Sequence, residues 1–238
     1  MQFGLSEEQT LLLDNVNRFL DDNSPLDRVR AYADGGDDAD IWAGLAELGV
    51  PALLIPEAQG GIGLNPLDAA IVAQSLGAHI TPSPFLGTAV MAPTALMASG
   101  GQYDDLLAEI AAGTPRVGIA FSEAIKRRND AQVEARDGAL FGKSLFAFDA
   151  DADSYLVADQ KQHLYLVAAD DPGLTRTHLT TVDKTRRTVE LTYDNAAAQS
   201  VSTDVRVFES VLDIGRVAIA ADTMGAAQNM LDQAVEYA

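Results

Sequence analysis

The sequence predicts an α+β multidomain chain. An all-α N-terminal domain precedes an antiparallel β-barrel or sandwich, and the first helix of a C-terminal helical bundle follows. Three observations predict this order. Apolar residues recur at helical spacing up to about residue 114. Short runs rich in Val, Leu, Phe, Tyr and Thr then fill residues 115–208, and helical spacing returns from about Glu209. The expected domains are residues 1–114, 115–208 and 209–238.

The first helix opens at Ser6-Glu7-Glu8-Gln9, a capping box in which the Ser oxygen takes a backbone N–H and Gln9 reaches back to the cap. Leu12, Val16, Phe19 and Leu20 form one face, and Ser24-Pro25 ends it. Ile41, Leu45 and Leu48 mark a second helix that stops at Gly49. Val50–Pro56 is short, apolar and bounded by prolines, so it reads as a buried connector, with a glycine turn at Gln59–Gly63. Asn65 caps a helix with Pro66 at its first position, running to Leu76-Gly77. An Ala- and Met-rich helix spans about Gly87 to Ala98, and another runs from about Tyr103 to Ala112 and stops at Gly113.

Strands are expected at Arg116–Phe121, Gln132–Ala135, Ala139–Phe141, Ser144–Phe148, Ser154–Ala158, His163–Ala168, Leu174–Leu179, Thr188–Tyr193 and Val205–Phe208. Asp, Gly and Asn turns separate them, which points to a small barrel or sandwich. In the final helix Val217, Ala221, Met224, Leu231, Val235 and Ala238 share one face, interrupted only by Gln228. A helix of about 25 residues spans about 37 Å, more than one small core covers. No stop signal follows, so its partner helices are expected beyond this sequence or on another polypeptide.

Composition narrows the partners. With 16 basic and 35 acidic residues the formal charge is −19, which opposes binding to nucleic acid or to anionic membrane surfaces. The acidic run Asp34–Asp40 reads as a solvated loop. There is no cysteine, hence no disulfide, thiolate metal site or Cys nucleophile. The three histidines, His79, His163 and His178, lack metal-ligand spacing. No signal peptide or membrane-length apolar run is seen, so no membrane insertion and a cytoplasmic location are expected.

Several local patterns then resemble one family. Trp42…Leu48-Gly49-Val50-Pro51…Pro56-Glu57…Gly60-Gly61-Ile62-Gly63 is similar to a "W..L.ELG…PE..GG.G" signature, and Phe121-Ser122-Glu123 stands at a T-E-P motif. Gly142-Lys143 followed by Ala152-Asp153, and Asp183-Lys184-Thr185-Arg186, come in the matching order. Together they resemble the acyl-CoA dehydrogenases across essentially the whole chain. The resemblance implies FAD between the β-domain and C-terminal helices, and desaturation of an acyl-CoA thioester across its α,β-carbons. It also implies electron transfer to an electron-transfer flavoprotein and homo- or hetero-oligomers through the C-terminal helices.

It implies flavin contacts at Ile119, Phe121 and Ser122, where a plain barrel strand ending in a hydroxyl-bearing turn is the alternative. The second flavin segment maps to Leu145 and Ala147, where the family prefers an aromatic residue and a hydroxyl. Phe146 and Phe148 on the neighbouring positions fit a shifted register, but strand parity places them on the opposite face. After Glu123 the family's glycine loop is replaced by Ala124-Ile125-Lys126-Arg127-Arg128-Asn129-Asp130, either a solvated basic turn or a mouth that attracts coenzyme A phosphates. Asp213 and Arg216 match the family's pantetheine-contacting pair and equally suit a surface i, i+3 ion pair. The family's base is a Glu beyond Ala238 or, in a minority, at the position of Gly215. Three readings stand: part of an acyl-CoA dehydrogenase inactive alone, a non-catalytic subunit of a heteromeric complex, or a cofactor-free structural remnant.

Overall fold

The computed structural model describes residues 4–126, 128 and 131–238. Its helical region opens with α1 (Glu7–Asn23), whose capping box forms as the sequence predicts, and continues with α2 (Leu26–Ala33), which the sequence reading passed over. Pro25 precedes α2 in extended backbone, so the break after α1 restarts the helix instead of opening a loop. Then come α3 (Ala39–Glu47), two 3₁₀ turns at Val50–Ala52 and Glu57–Gln59, and α4 (Pro66–Ala78). The α1 and α4 caps interlock. Buried Asp68 accepts from the Asn65 N–H at 3.0 Å to complete the α4 cap, and its other oxygen accepts from Gln9 Nε2 of the α1 cap at 2.9 Å. Trp42 seats α3 by donating its indole N–H to the Gly113 carbonyl at 3.0 Å.

The expected Ala- and Met-rich helix is a π-helical segment, Phe85–Met91, leading into α5 (Ala92–Met97), with α6 (Asp104–Ala111) after it. The π-segment touches the β-domain directly. Thr88 Oγ1, fully buried, accepts from the Val117 N–H at 2.9 Å, and a side chain on Gly87 would lie 2.2 Å from the Val117 carbonyl oxygen.

The β-domain is one eight-stranded sheet: β1 (Val117–Ala120), β2 (Val133–Arg136), β3 (Ala139–Phe148), β4 (Ser154–Ala158), β5 (Leu164–Ala168), β6 (Leu174–His178), β7 (Thr188–Ala197) and β8 (Gln199–Ser202). A short helix, α7 (Ser122–Ile125), follows β1. The order is β6-β7-β3-β1-β4-β5-β8, with β2 paired to β3, and the sheet does not close. Pairing is antiparallel except between β1 and β4, which run parallel. The strands expected separately at Ala139–Phe141 and Ser144–Phe148 are one strand, because Gly142 at φ 107° carries the backbone through a conformation that bulkier residues avoid.

The strand expected at Val205–Phe208 is instead the start of α8 (Val205–Tyr237), and β8 precedes it. The Asp204 side chain accepts from the Arg206 N–H at 3.0 Å and caps that helix, a signal stronger than the β-favouring valines it precedes. On α8 the packed face carries Phe208, Val211, Gly215, Ala218 and Gly225. The apolar stripe predicted there, Val217, Met224, Leu231 and Val235, is exposed on the other side. Helix α8 crosses α4 with backbones nearly touching: a methyl on Gly77 would sit 1.9 Å from the Asp222 carbonyl oxygen, and one on Gly225 1.9 Å from that of Gln74.

A polar junction joins the helical and β regions. Buried Asp38 accepts from Arg116 Nη2 at 2.7 Å, and Arg187 stacks its guanidinium 4.2 Å over the Tyr32 ring while bonding Asp151 at 2.9 Å. The expected solvated loop Asp34–Asp40 is therefore partly an interdomain contact. Beside it Asp149, at φ 64°, leaves Oδ2 buried with no hydrogen-bond partner. Burial, with Asp38 nearby, pushes the Asp149 carboxyl up to about 6. Among the described residues no helix is long and apolar enough to cross a membrane, and no group of His, Cys, Asp and Glu could hold a metal ion.

Candidate functional site

A cavity of about 440 Å³ opens where the π-segment, the β1–α7 corner, β3 and α8 meet. Leu86 and Met91 form one side, Ile119, Phe121 and Ser122 a second, Phe146 and Phe148 a third, and Leu212, Gly215, Arg216 and Ile219 of α8 the fourth. Ile125, Lys126 and Arg128 stand at the mouth. Phe146, Phe148, Ile125 and Ile219 are exposed apolar side chains here, so the cavity concentrates unburied hydrophobic surface. Among the described residues its lining includes no Asp, Glu or His, while Lys126, Arg128 and Arg216 give it positive charge within an acidic chain.

Ile119, Phe121 and Ser122 all line the cavity. Ile119 and Phe121 are buried on the cavity side, and Phe121 packs its ring 5.3 Å from that of Phe208 at the foot of α8. Ser122 begins α7, and its hydroxyl donates to Glu123 Oε2 at 2.6 Å. Glu123 is almost fully buried, with Arg128 Nη1 at 3.5 Å from Oε1 and also donating to the Ser122 carbonyl at 3.2 Å. The Arg128 guanidinium lies 5.4 Å over the Phe146 ring. In the basic turn, Arg127, Asn129 and Asp130 lie outside the described residues.

Leu145 and Ala147 do not join them. In β3, Ser144 pairs with Leu191 and Ala147 with Val189, so three steps on one strand match two on the other: a β-bulge. Ser144 and Ala147 both point into the sheet core, where Ser144 Oγ lies 3.3 Å from the Tyr193 hydroxyl. Phe146 and Phe148 therefore face the cavity, and Phe148 pairs directly with Ile119. Parity read along the sequence predicts the reverse, because a bulge leaves no residue-type signal of its own in this run.

Asp213 and Arg216 form the i, i+3 pair at 2.8 Å, both well exposed, and only Arg216 reaches the cavity lining. Gly215 beside it is buried against Met91, whose sulfur would lie 2.8 Å from an added methyl. The sequence reading missed Arg128 as a lid over Phe146 and Met91 as the residue filling the space at Gly215. Neither has a signal in the sequence: Arg128 and Phe146 lie in separate segments that only the fold brings together, and the second depends on the helix crossing.

Residues 6–114 match the acyl-CoA dehydrogenase N-terminal domain. The chain is 32% identical over 242 residues to acyl-CoA dehydrogenase IpdE2 of Mycobacterium tuberculosis, covering 98% of this chain and 64% of that protein. It thus spans just under two thirds of that relative's length. A variant of the Tcur3481-Tcur3483 steroid ACAD superposes with a TM-score of 0.86 at 27% identity, covering 97% of this chain and 66% of that one. The ChsE4-ChsE5 complex of Mycobacterium tuberculosis shares the fold, with a TM-score of 0.87 at 22% identity over 100% of this chain and 68% of that one. Its N-terminal region matches the acyl-CoA dehydrogenase N-terminal domain, and its order of helical region, sheet and long helix, with 32% identity to IpdE2 over 98% of this chain, makes it similar to the acyl-CoA dehydrogenases throughout.

Proposed function

We propose that this chain contributes part of a flavin-dependent acyl-CoA dehydrogenase that desaturates an acyl-CoA thioester and passes the electrons to an electron-transfer flavoprotein in the cytoplasm. The observation that carries the proposal is the cavity itself, an apolar slot with exposed aromatic faces and a cationic rim in a chain of charge −19. Such a slot suits a flat ring and an acyl chain, and its rim suits phosphates. The donor set fits FAD in part. Ile119, Phe121 and Ser122 would line one side of the ring, with Phe146 and Phe148 taking the wall that Leu145 and Ala147 were expected to supply. Ser122 commits its proton to Glu123 and keeps lone pairs to accept a hydrogen bond. A bound flavin supplies the hydride acceptor. Asp213 steadies Arg216 at the rim, where it would meet the polar stem of coenzyme A. No group in the described lining can take an α-proton at neutral pH, so the base must come from outside these residues and the chain alone should not turn over.

A second reading, a non-catalytic subunit paired with a complete homologue, is favoured by Gly215. Met91 occupies the space next to it, so the position offers neither a carboxylate nor room for one without Met91 moving. The visible spectrum of the purified chain, alone and mixed with a full-length homologue, separates the readings. Flavin absorbance bleached by an acyl-CoA supports an enzyme, and flavin appearing only in the mixture supports a subunit. A colourless protein under both conditions rejects both and leaves a structural remnant.

A further inference from the structure

A narrow cleft of about 40 Å³ adjoins the main cavity, and the two share Leu86, Ile119 and Phe148 in their walls. Where those three residues give the cavity apolar surface, the cleft continues into the polar junction and is also lined by Asp38, Asp149, Arg186 and Arg187. Three of these charged groups already have their counter-ions. Asp38 accepts from Arg116 at 2.7 Å, Arg186 meets Asp222 at 2.8 Å, and Arg187 meets Asp151 at 2.9 Å.

Asp149 is the exception. It directly follows Phe148, the last residue of β3, and turns away from the strand at φ 64°. Its Oδ1 accepts from the Asp151 N–H at 3.3 Å, whereas Oδ2 is buried with no hydrogen-bond partner. A buried carboxylate oxygen without a donor is costly, and a donor brought to it recovers that cost. Burial pushes this carboxyl up to about 6, so at pH 7.5 it is mostly ionised and can only accept.

We infer that the cleft is a hydroxyl-binding subsite, taking an alcohol group carried by the apolar ligand of the main cavity. Size and charge choose the group. The cleft has room for about one to three non-hydrogen atoms. A carboxylate there would face Asp38 and Asp149, and an ammonium group would face Arg186 and Arg187. A neutral hydroxyl meets neither repulsion and supplies the donor that Asp149 Oδ2 lacks. The inference rests on the reading of the main cavity as a ligand slot, and it narrows that ligand to an apolar ring or chain bearing a hydroxyl.

Fluorescence titration of the full chain at pH 7.5 with naphthalene, 2-naphthol, 2-methoxynaphthalene and protonated 2-naphthylmethylamine tests it. Naphthol should bind about tenfold more tightly than naphthalene, because its hydroxyl meets a charged acceptor. The methoxy compound, which has no donor, and the amine should gain nothing over naphthalene. Asp149→Gly suits the positive φ and should bring naphthol down to the affinity of naphthalene. In the parent chain, carbon-13 NMR of the Asp149 carboxyl gives a second measurement. Saturating naphthol should lower its titration midpoint by about one pH unit and naphthalene should not. Arg116, Asp38, Asp151, Tyr32 and Tyr155 act on the same carboxyl in both titrations, so the difference reports the ligand. If naphthalene binds and naphthol gains nothing, the cavity stands as a ligand slot and the subsite falls. If neither binds, the cavity reading fails and the inference fails with it. A naphthol preference that survives Asp149→Gly, or an amine that binds most tightly, overturns the inference as well.

Discussion

At the scale of single residues the decisive facts are where charge is buried and what faces it. Arg116 compensates Asp38 at 2.7 Å and lies close enough to Asp149 to oppose its protonation. Arg116→Ala would leave two interior carboxylates uncompensated, and urea unfolding should show a loss of about 3–5 kcal/mol. Asp149 makes its own contribution depend on pH. Its folded pKa, about 6, is raised above the ordinary 3.8, so the fold favours the protonated form. That stabilisation is fully present below the ordinary value and is lost as pH rises through about 6. Asp149→Asn removes the titration and tolerates the positive φ at this position. The difference in stability between variant and parent should shift by about 3 kcal/mol in favour of the variant from pH 4 to pH 7. A pH-independent difference would mean that the fold leaves the Asp149 carboxyl at its ordinary value. None of this is legible from the string Phe148-Asp149-Ala150, because an aspartate in a turn looks the same whether solvent or a domain junction surrounds it.

At the scale of elements, sequence and structure agree where local chemistry sets the boundary. The Ser6 and Asn65 caps, the stops at Gly49 and Gly113, and β4 at Ser154–Ala158 all fall where side chains or φ demand them. They part where a boundary depends on a neighbour. Val205–Phe208 has strand-like residues, yet Asp204 caps a helix and Phe208 packs on Phe121. Helix α2 has only eight residues and two buried anchors, Val29 and Tyr32, too few to stand out by period. The crossing of α8 over α4 rests on glycines whose purpose shows only in three dimensions. Gly225→Ala would drive a methyl against the Gln74 carbonyl, backbone that cannot rotate aside, and should cost about 3 kcal/mol. Hydrogen exchange should then show α4 and the second half of α8 losing protection together. Gly215→Ala meets the flexible end of Met91 instead and should cost less than Gly225→Ala in the same assay.

For the whole molecule, the long helix carries two apolar faces and the chain buries one of them. Val217, Met224, Leu231 and Val235 remain exposed while Gly215, Ala218 and Gly225 pack. Such a stripe drives association. Met224→Lys with Leu231→Glu should lower the concentration-dependent mass measured by light scattering and change unfolding stability by no more than about 0.5 kcal/mol. If the mass is unchanged, contacts elsewhere hold the copies together. The resemblance was legible in the order of motifs and the domain sequence in the change of period. The open sheet, the domain junction and the cavity's composition were not, since each depends on pairings between residues far apart in the chain.

The bulge in β3 works like a reading frame. Everything after Ser144 on that strand is displayed one letter out of phase with everything before it, so a column-by-column comparison with a relative lacking the extra residue would match Ala147 to a ligand-facing position and Phe148 to a hidden one. Deleting Leu145 should leave both phenylalanines facing the cavity while straightening the strand. The extra residue can therefore come or go without changing the aromatic wall that the cavity presents, although every position counted along the strand past it is renumbered.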